Sequence, residues 1–465
     1  MKDPLTMNRR EFLKGSGAVC ILGGMGSLPW SCHEAGSRKI AIAQTLSAVE
    51  REPLVRPFGF KGGYLTELWQ TVAGLESTSG ERAAGLGTQS VLWSDAALFE
   101  AHTEEKGNSL MYAITQRSLE ILKGAQFTDP VTLLEELAAE VAGYAVKITG
   151  RNNLRKTFIL NALVPVDNAV WLLMAKTCGI TSFDRMIPPI YRPVLSERHE
   201  KIAAIPLISY DTPPSQVKQA VEEGYFFMKI KIGQPGTQEE MVRKDMERLS
   251  DLHRVMKDLR TPYTSDGKLP YYFDANGRYQ DKETFLKFLA HAENIGAFDQ
   301  IAMVEEPFPE EMEIDVSSIP VRLTADETAH TDTDTLKRID MGYRAVALKP
   351  IAKTLSMSLK IARAASERNV PCFCADLTVN PVLVEWNKNM AARLSTFPGL
   401  GNLGLVESNG HQNYRNWEKM KQYLPDPKAP WIEVEKGVYR TNADYFREGG
   451  GIFRESLHYG TLLKR

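Results

Sequence analysis

The sequence predicts an α/β chain built on a modified (β/α)8-type TIM barrel, with an N-terminal α+β capping domain that the C-terminal tail completes. Three observations predict it. From about residue 200, short apolar runs alternate with amphipathic helical stretches in eight beats, close to what such a barrel needs. Asp274, Glu305 and Asp326 each close one of those runs, where parallel strands would bring them to one shared rim. No Gly-rich dinucleotide fingerprint follows any of the runs, which argues against a doubly wound open sheet.

In order, residues 1–32 read as an export address. Asn8-Arg9-Arg10-Glu11-Phe12-Leu13-Lys14 resembles a twin-arginine motif, and a weakly apolar, Gly-rich segment follows it to Leu28. That segment is too short and too rich in glycine to span a bilayer as a helix, so no transmembrane span is expected in the mature chain. The expected destination is the periplasm. Ser31-Cys32 offers a site for a lipid anchor, with Pro29 and Trp30 unfavourable just upstream.

Residues 38–190 read as the capping domain. Lys39–Val49, Leu65–Leu75 and Ser90–Trp93 are strand-like, and Gly59-Phe60-Lys61-Gly62-Gly63-Tyr64 interrupts them as a mobile loop. From Leu110 the pattern turns helical, with Asp129-Pro130 capping Val131–Ala145 and Gly179 stopping the helix over Val166–Cys178. A Pro-rich turn around Pro188-Pro189 and Pro193 then leads to the barrel at 200–411.

The eight barrel strands are expected at Ile205–Ser209, Phe227–Ile232, Tyr271–Ala275, Ile301–Glu305, Val321–Ala325, Ala345–Lys349, Pro371–Ala375 and Leu403–Val406. Helices are expected at Pro214–Glu223, Met241–Leu259, Lys282–Ile295, Leu355–Arg368 and Val382–Leu394. Thr261–Lys268 reads as a surface insertion before the third strand. The tail at 412–465 lacks the beat and is expected to pack back on the capping domain.

The bulk numbers exclude some classes. The chain has 465 residues, 43% hydrophobic and 25% charged, as soluble globular proteins do. A formal net charge of -2 gives no electrostatic case for nucleic acid or an anionic membrane as partner. Five cysteines, at 20, 32, 178, 372 and 374, are too irregular for a disulfide framework, and Cys372 and Cys374 read as buried free thiols.

The chemistry lies between Lys229 and Lys349. Asp274, Glu305 and Asp326 fall on strands three to five, neighbours in a barrel, and would repel one another unless a cation lay between them. Three hard oxygen ligands suit Mg²⁺, with Mn²⁺ as the alternative, and no zinc spacing is present. Asn276 and Glu327, beside two of these ligands, are candidates to support them. Lys229 and Lys231 stand two apart, so in a strand both face inward while Ile230 and Ile232 face the helices. Lys349 ends strand six, across the pocket. A substrate carbon held between Lys231 and Lys349 could lose a proton on one face and gain one on the other.

K-I-K (229–231), D-A-N (274–276), V-E-E-P (304–307), A-D-E (325–327) and A-L-K-P (347–350), in this order, resemble the enolase superfamily, specifically its muconate-lactonizing branch. V-D-N-A-V-W-L-L-M-A-K at 166–176 resembles that family's junction between cap and barrel. The resemblance implies Mg²⁺ ligands at Asp274, Glu305 and Asp326, an acid/base pair at Lys231 and Lys349, and a Lys229 that holds the substrate carboxylate and its enolate. It implies a lid and specificity role for Phe60 and Lys61, and assembly into homo-oligomers. The expected activity is a racemase or epimerase acting on a small carboxylate: an amino acid, N-acyl amino acid or dipeptide-like molecule. A lyase (dehydratase) or cycloisomerase using the same enolate chemistry, and a non-catalytic carboxylate-binding protein, are the alternatives. Strand seven ends in Asp376 and strand eight in Glu407-Ser408-Asn409, so Asp376 and Glu407 are candidates for a cation site that binds substrate, with helix capping or a rim salt bridge as the alternative role.

Overall fold

The computed structural model describes residues 38–60 and 63–464. The export motif, Cys32 and Lys61 lie outside the described residues. The capping domain opens with a four-stranded sheet. Its spine is a long antiparallel ribbon, Ile40–Phe60 against Gly63–Ser77, with Arg82–Gln89 on the outer side.

The ribbon corrects the expected loop at both its ends: Gly59 pairs with Tyr64 and Phe60 with Gly63, so the strands run as far as Phe60 and resume at Gly63. Gly-rich composition reads the same in a loop and in a tight hairpin. Ser90–Trp93 is also not a strand. The strand ends at Gln89 and a helical turn, Val91–Ser94, follows, because Asn161 Oδ1 accepts the Ser90 N–H at 3.0 Å and so replaces a ladder partner.

Helices Glu104–Leu122, Pro130–Thr149 and Lys156–Thr177 back this sheet. Asp129 caps the second, accepting from Thr132 N at 2.8 Å, and Gly150 ends it in the left-handed conformation. Lys156–Thr177 is long and apolar enough to cross a membrane, with mean hydropathy 1.6, but it is buried inside the domain. Gly85 and Gly87 let it approach so closely that an added Cβ would strike the backbone of Pro165 or Ala169. Asn161 and Asn168, two turns apart, each donate a side-chain N–H to a strand carbonyl, at Thr88 and Leu86.

The barrel strands are Lys201–Ile205 with Leu207–Ile208, Met228–Lys231, Tyr271–Asp274, Ile301–Glu305, Leu323–Ala325, Ala345–Leu348, Cys372–Cys374 and Gly404–Glu407. All pair in parallel with their neighbours. Strand one is broken at Pro206, which has no N–H for the ladder. Its first half pairs with strand eight and its second with strand two, and this closes the ring.

Seven strand–helix beats are regular enough to name, but strand four has no helix after it among the described residues. Residues 306–322 run through turns, and Pro307, Pro309 and Pro320 punctuate them. Conversely, Asp332–Asp340 after strand five is a helix whose short, polar run gave no clear apolar stripe in sequence. Residues 261–268 form turns, bridged at Arg260–Lys268 and Thr264–Leu400. In the tail, the hairpin Val434–Glu435 with Val438–Arg440 adds antiparallel to strand one. The last helix, Leu457–Leu462, meets the cap ribbon, where His458 Nε2 lies 2.8 Å from Glu50 Oε2. Cys372 and Cys374 are free thiols, and both are buried, as is Cys178.

Candidate active site

The barrel floor is aromatic: the Tyr272 ring lies 5.7 Å from both Phe227 and Phe373. Above it, strand register sets the site. Lys231 stands opposite Asp274, and Asp274 opposite Glu305, so strands two, three and four present these side chains at one level. Strand parity turns Lys229 inward as well, while Ile230 and Ile232 are buried under the helices. Strands two and six are four apart in a ring of eight. Lys231 and Lys349 therefore enter from opposite walls of one cavity, which both line.

Lys229 Nζ bridges Glu305 Oε1 at 2.8 Å, Asp274 Oδ2 at 3.0 Å and Glu407 Oε2 at 3.3 Å. Burial works against its charge, but the three carboxylates outweigh it and raise its pKa well above the usual lysine range. Lys231 Nζ donates to Asp274 Oδ2 at 2.7 Å and to Asn276 Oδ1. Burial would raise Asp274, yet Lys229 and Lys231 hold its carboxyl at about 2. Glu305 goes the other way: burial, opposed by Lys229 but reinforced by Asp274 and Asp326, pushes it well up. Its second oxygen accepts from the Tyr272 hydroxyl.

On the far wall, Lys349 Nζ lies 2.5 Å from Asp326 Oδ2 and 4.4 Å from the centroid of the Trp93 ring, a cap residue. Burial lowers Lys349 and Asp326 raises it, with a net rise. Lys353, which sequence reasoning missed, is fully buried and donates to Asp326 O at 2.6 Å and Oδ1 at 3.3 Å. Burial lowers its pKa. The only sequence signal was a second lysine in the apolar run Ile351-Ala352-Lys353.

Three carboxylates, from Glu305, Asp326 and Glu327, offer oxygens within 4.8 Å of one another, all buried. Asp274, expected among the ligands, is not in this trio; it is held by the two lysines of strand two. Glu327, expected only to support, is in it. Its Oε1 accepts from Asn276 Nδ2 at 3.2 Å, while its buried Oε2 has no hydrogen-bond partner among the described residues. A buried carboxylate oxygen left in that state calls for a cation. The all-oxygen donor set fits a hard divalent ion such as Mg²⁺. Behind the trio, Glu306 Oε1 accepts from Asp326 N, Thr328 N and Thr328 Oγ1. Asn276, Glu306, Thr354 and Thr378 all have positive φ, so strained backbone collects on this rim.

Asp376 and Glu407 both line the cavity, but their oxygens are engaged. Asp376 accepts from the backbone N–H of Leu377, Val379 and Asn409, at 2.7, 3.2 and 2.8 Å. Glu407 accepts from Asp376 N at 3.0 Å and Asn409 Nδ2 at 3.3 Å, besides Lys229. Burial, with Glu407 alongside, raises the Asp376 carboxyl to about 7. The cap supplies the roof through Leu54, Phe58, Leu65, Leu68, Ser90 and Trp93, and the whole encloses about 560 Å³ including its mouth. His330 pairs with Glu310, His411 meets the Trp417 ring edge-on, and neither lines the cavity. Phe60 ends its strand at the hairpin tip.

Residues 214–443 match the family described as Enolase C-terminal domain-like. No curated protein matches the chain. Among solved structures, a dipeptide epimerase from Enterococcus faecalis, complexed with Mg and the dipeptide L-Leu-L-Tyr, is similar at 14% identity and TM-score 0.61, over 86% of this chain and 97% of that one. A member of the enolase superfamily from Listeria innocua is similar at 20% identity and TM-score 0.61, over 91% and 96%. The L-Ala-D/L-Glu epimerase from Bacillus subtilis is similar at 13% identity and TM-score 0.59, over 86% and 96%. At these identities the likeness is one of fold.

Proposed function

We propose that this chain, which belongs to the enolase superfamily, is a racemase or epimerase of the lysine–lysine, muconate-lactonizing type that abstracts the α-proton of a carboxylate substrate with the help of Mg²⁺. The observation that carries the reading is the placement of Lys231 and Lys349 on opposite walls of one cavity, with the acidic trio beside them.

A proton next to a carboxylate is weakly acidic because its removal builds a second negative charge on that carboxylate. Lys229, held cationic by three carboxylates, is fixed where it can stabilise that charge as it develops. Glu305, Asp326 and Glu327 would hold the Mg²⁺, with Asp274 close by through Lys229, and the bound ion would supply Lewis-acid stabilisation of the same oxygens. Lys231, hydrogen-bonded to Asp274 and Asn276, would take the proton from one face. Lys349, held by Asp326 and roofed by Trp93, would return one to the other face. The cap roof excludes water from the planar enediolate.

The test is proton exchange in D₂O with Mg²⁺ over a set of resolved α-carboxylates. Lys231→Ala should keep α-exchange from one stereoisomer only, Lys349→Ala from the other, and neither should racemise. Equal loss of both exchanges in either variant would remove the two-base reading. A β-elimination product in place of exchange would move the assignment to a lyase.

A further inference from the structure

We infer that the substrate is an α-carboxylate whose remaining substituents are uncharged and largely apolar, and that the site rejects the free ammonium group of a dipeptide. The inference rests on the proposed proton-transfer reading and names the substrate class of the same cavity.

It starts from the apolar lining of the pocket. There the walls are Leu54, Phe58, Leu65 and Leu68 from the ribbon, Trp93 from the turn after it, and Leu377 from the loop after strand seven. All but Phe58 are buried, so this is a continuous apolar surface. An ammonium group placed against it would lose its hydration and needs a carboxylate in return.

Asp376 and Glu407 are the lining carboxylates outside the trio, and neither is free to respond. Three backbone N–H groups hold Asp376, while Asp376 N, Asn409 Nδ2 and Lys229 Nζ hold Glu407. These bonds stitch the loop after strand seven to the end of strand eight. Turning either carboxylate toward a ligand would leave buried N–H groups without acceptors. Among the described residues, Glu327 Oε2 and Asp326 Oδ2 are lining oxygens without a hydrogen bond, but both belong to the trio, and Asp326 Oδ2 is paired with Lys349.

Two probes separate the alternatives: N-acetyl-L-phenylalanine and glycyl-L-phenylalanine differ by one ammonium group. Titration calorimetry of the full-length protein with Mg²⁺ should give at least roughly tenfold tighter binding of the acetyl compound, the scale expected for an unpaired buried charge. Phe58→Glu, on the half-buried edge of the wall, should bring the two affinities together by supplying a partner. Equal or tighter binding of glycyl-L-phenylalanine to the wild type overturns the inference, as does binding of neither probe. α-Proton exchange is read separately: its absence for every carboxylate overturns the catalytic reading, while the affinity ratio still decides the chemistry of the pocket wall.

Discussion

Asp167 lies on the long cap helix and is fully buried, yet its nearest partner belongs to the barrel. Its oxygens accept from Ser356 N at 3.1 Å and Ser356 Oγ at 2.5 Å, and Trp171 Nε1 donates to the same serine oxygen at 2.9 Å. Ser356 opens the helix after strand six, directly behind Lys349 and Lys353. Burial raises the Asp167 carboxyl to about 7, against the opposing hydrogen bonds from Ser356. In the unfolded chain it would titrate near 3.8. The folded state therefore binds the proton more tightly. The stability this confers is fully present below about pH 4 and is lost as pH rises through 7. About three pH units at ~1.4 kcal/mol each come to roughly 4 kcal/mol. Asp167→Asn keeps the shape and removes the titration. In urea unfolding at pH 5, 6, 7 and 8, the variant should be about 1 kcal/mol less stable than the wild type at pH 5, through imperfect hydrogen bonding. It should overtake the wild type by pH 8, gaining on the order of 3 kcal/mol relative to it over that range. Asp376 and Glu306, also raised to about 7, act equally in both proteins and drop out of the difference. Parallel pH profiles would refute the argument.

Glu327→Gln retains an acceptor for Asn276 and deletes the unpaired buried charge, so Mn²⁺ binding followed by electron spin resonance should weaken by roughly tenfold or more while metal-free thermal stability holds or rises. An unchanged Mn²⁺ affinity would take Glu327 out of the metal site. Gly85→Ala drives a Cβ into the backbone of the cap helix at Pro165 and Ala169 and should lower urea stability by about 3 kcal/mol. Trp93→Leu removes the ring over Lys349 and should slow α-exchange from the stereoisomer that Lys349 serves by about fivefold, leaving the other stereoisomer less affected; Trp93→Phe should restore most of it.

The lysines of strand two were legible because a strand has a strict period of two: Lys229 and Lys231 had to share a face, and they do. Glu305 and Asp326 were legible because consecutive parallel strands put their ends side by side. The grouping of Glu327 with them was not, because it is made in three dimensions: the two strand-two ammonium groups hold Asp274, while Asn276, at φ 46, turns its amide toward Glu327. Lys353 was hidden because its direction depends on the turn before Thr354, at φ 74. The sequence shows the charges of Asp376 and Glu407 but not the backbone N–H groups that both accept from. The missing helix after strand four could have been read from Pro307, Pro309 and Pro320, each of which obstructs a helix interior.

That missing helix changes how the cap is held. The irregular segment 306–322 puts Glu310 within reach of the cap, where Arg155 Nη2 meets its Oε2 at 2.9 Å and His330 pairs with its other oxygen. Lys156 adds a pair to Asp334 at 2.9 Å. On the opposite side, cap residue Gln70 accepts from Asn380 Nδ2 at 2.8 Å and donates to Tyr414 OH at 2.9 Å. With Asp167–Ser356 between them, the ties surround the rim where the strands end. A regular helix after strand four would keep its carbonyls and side chains on the barrel's flank, so irregularity there is what lets strand four reach the cap. The roof residues Leu65, Leu68 and Trp93 come from the cap, and the proposed bases come from the barrel. The ties therefore decide how closely the apolar wall approaches Lys231 and Lys349, and substitutions in them should alter substrate preference through KM without touching any group that moves a proton.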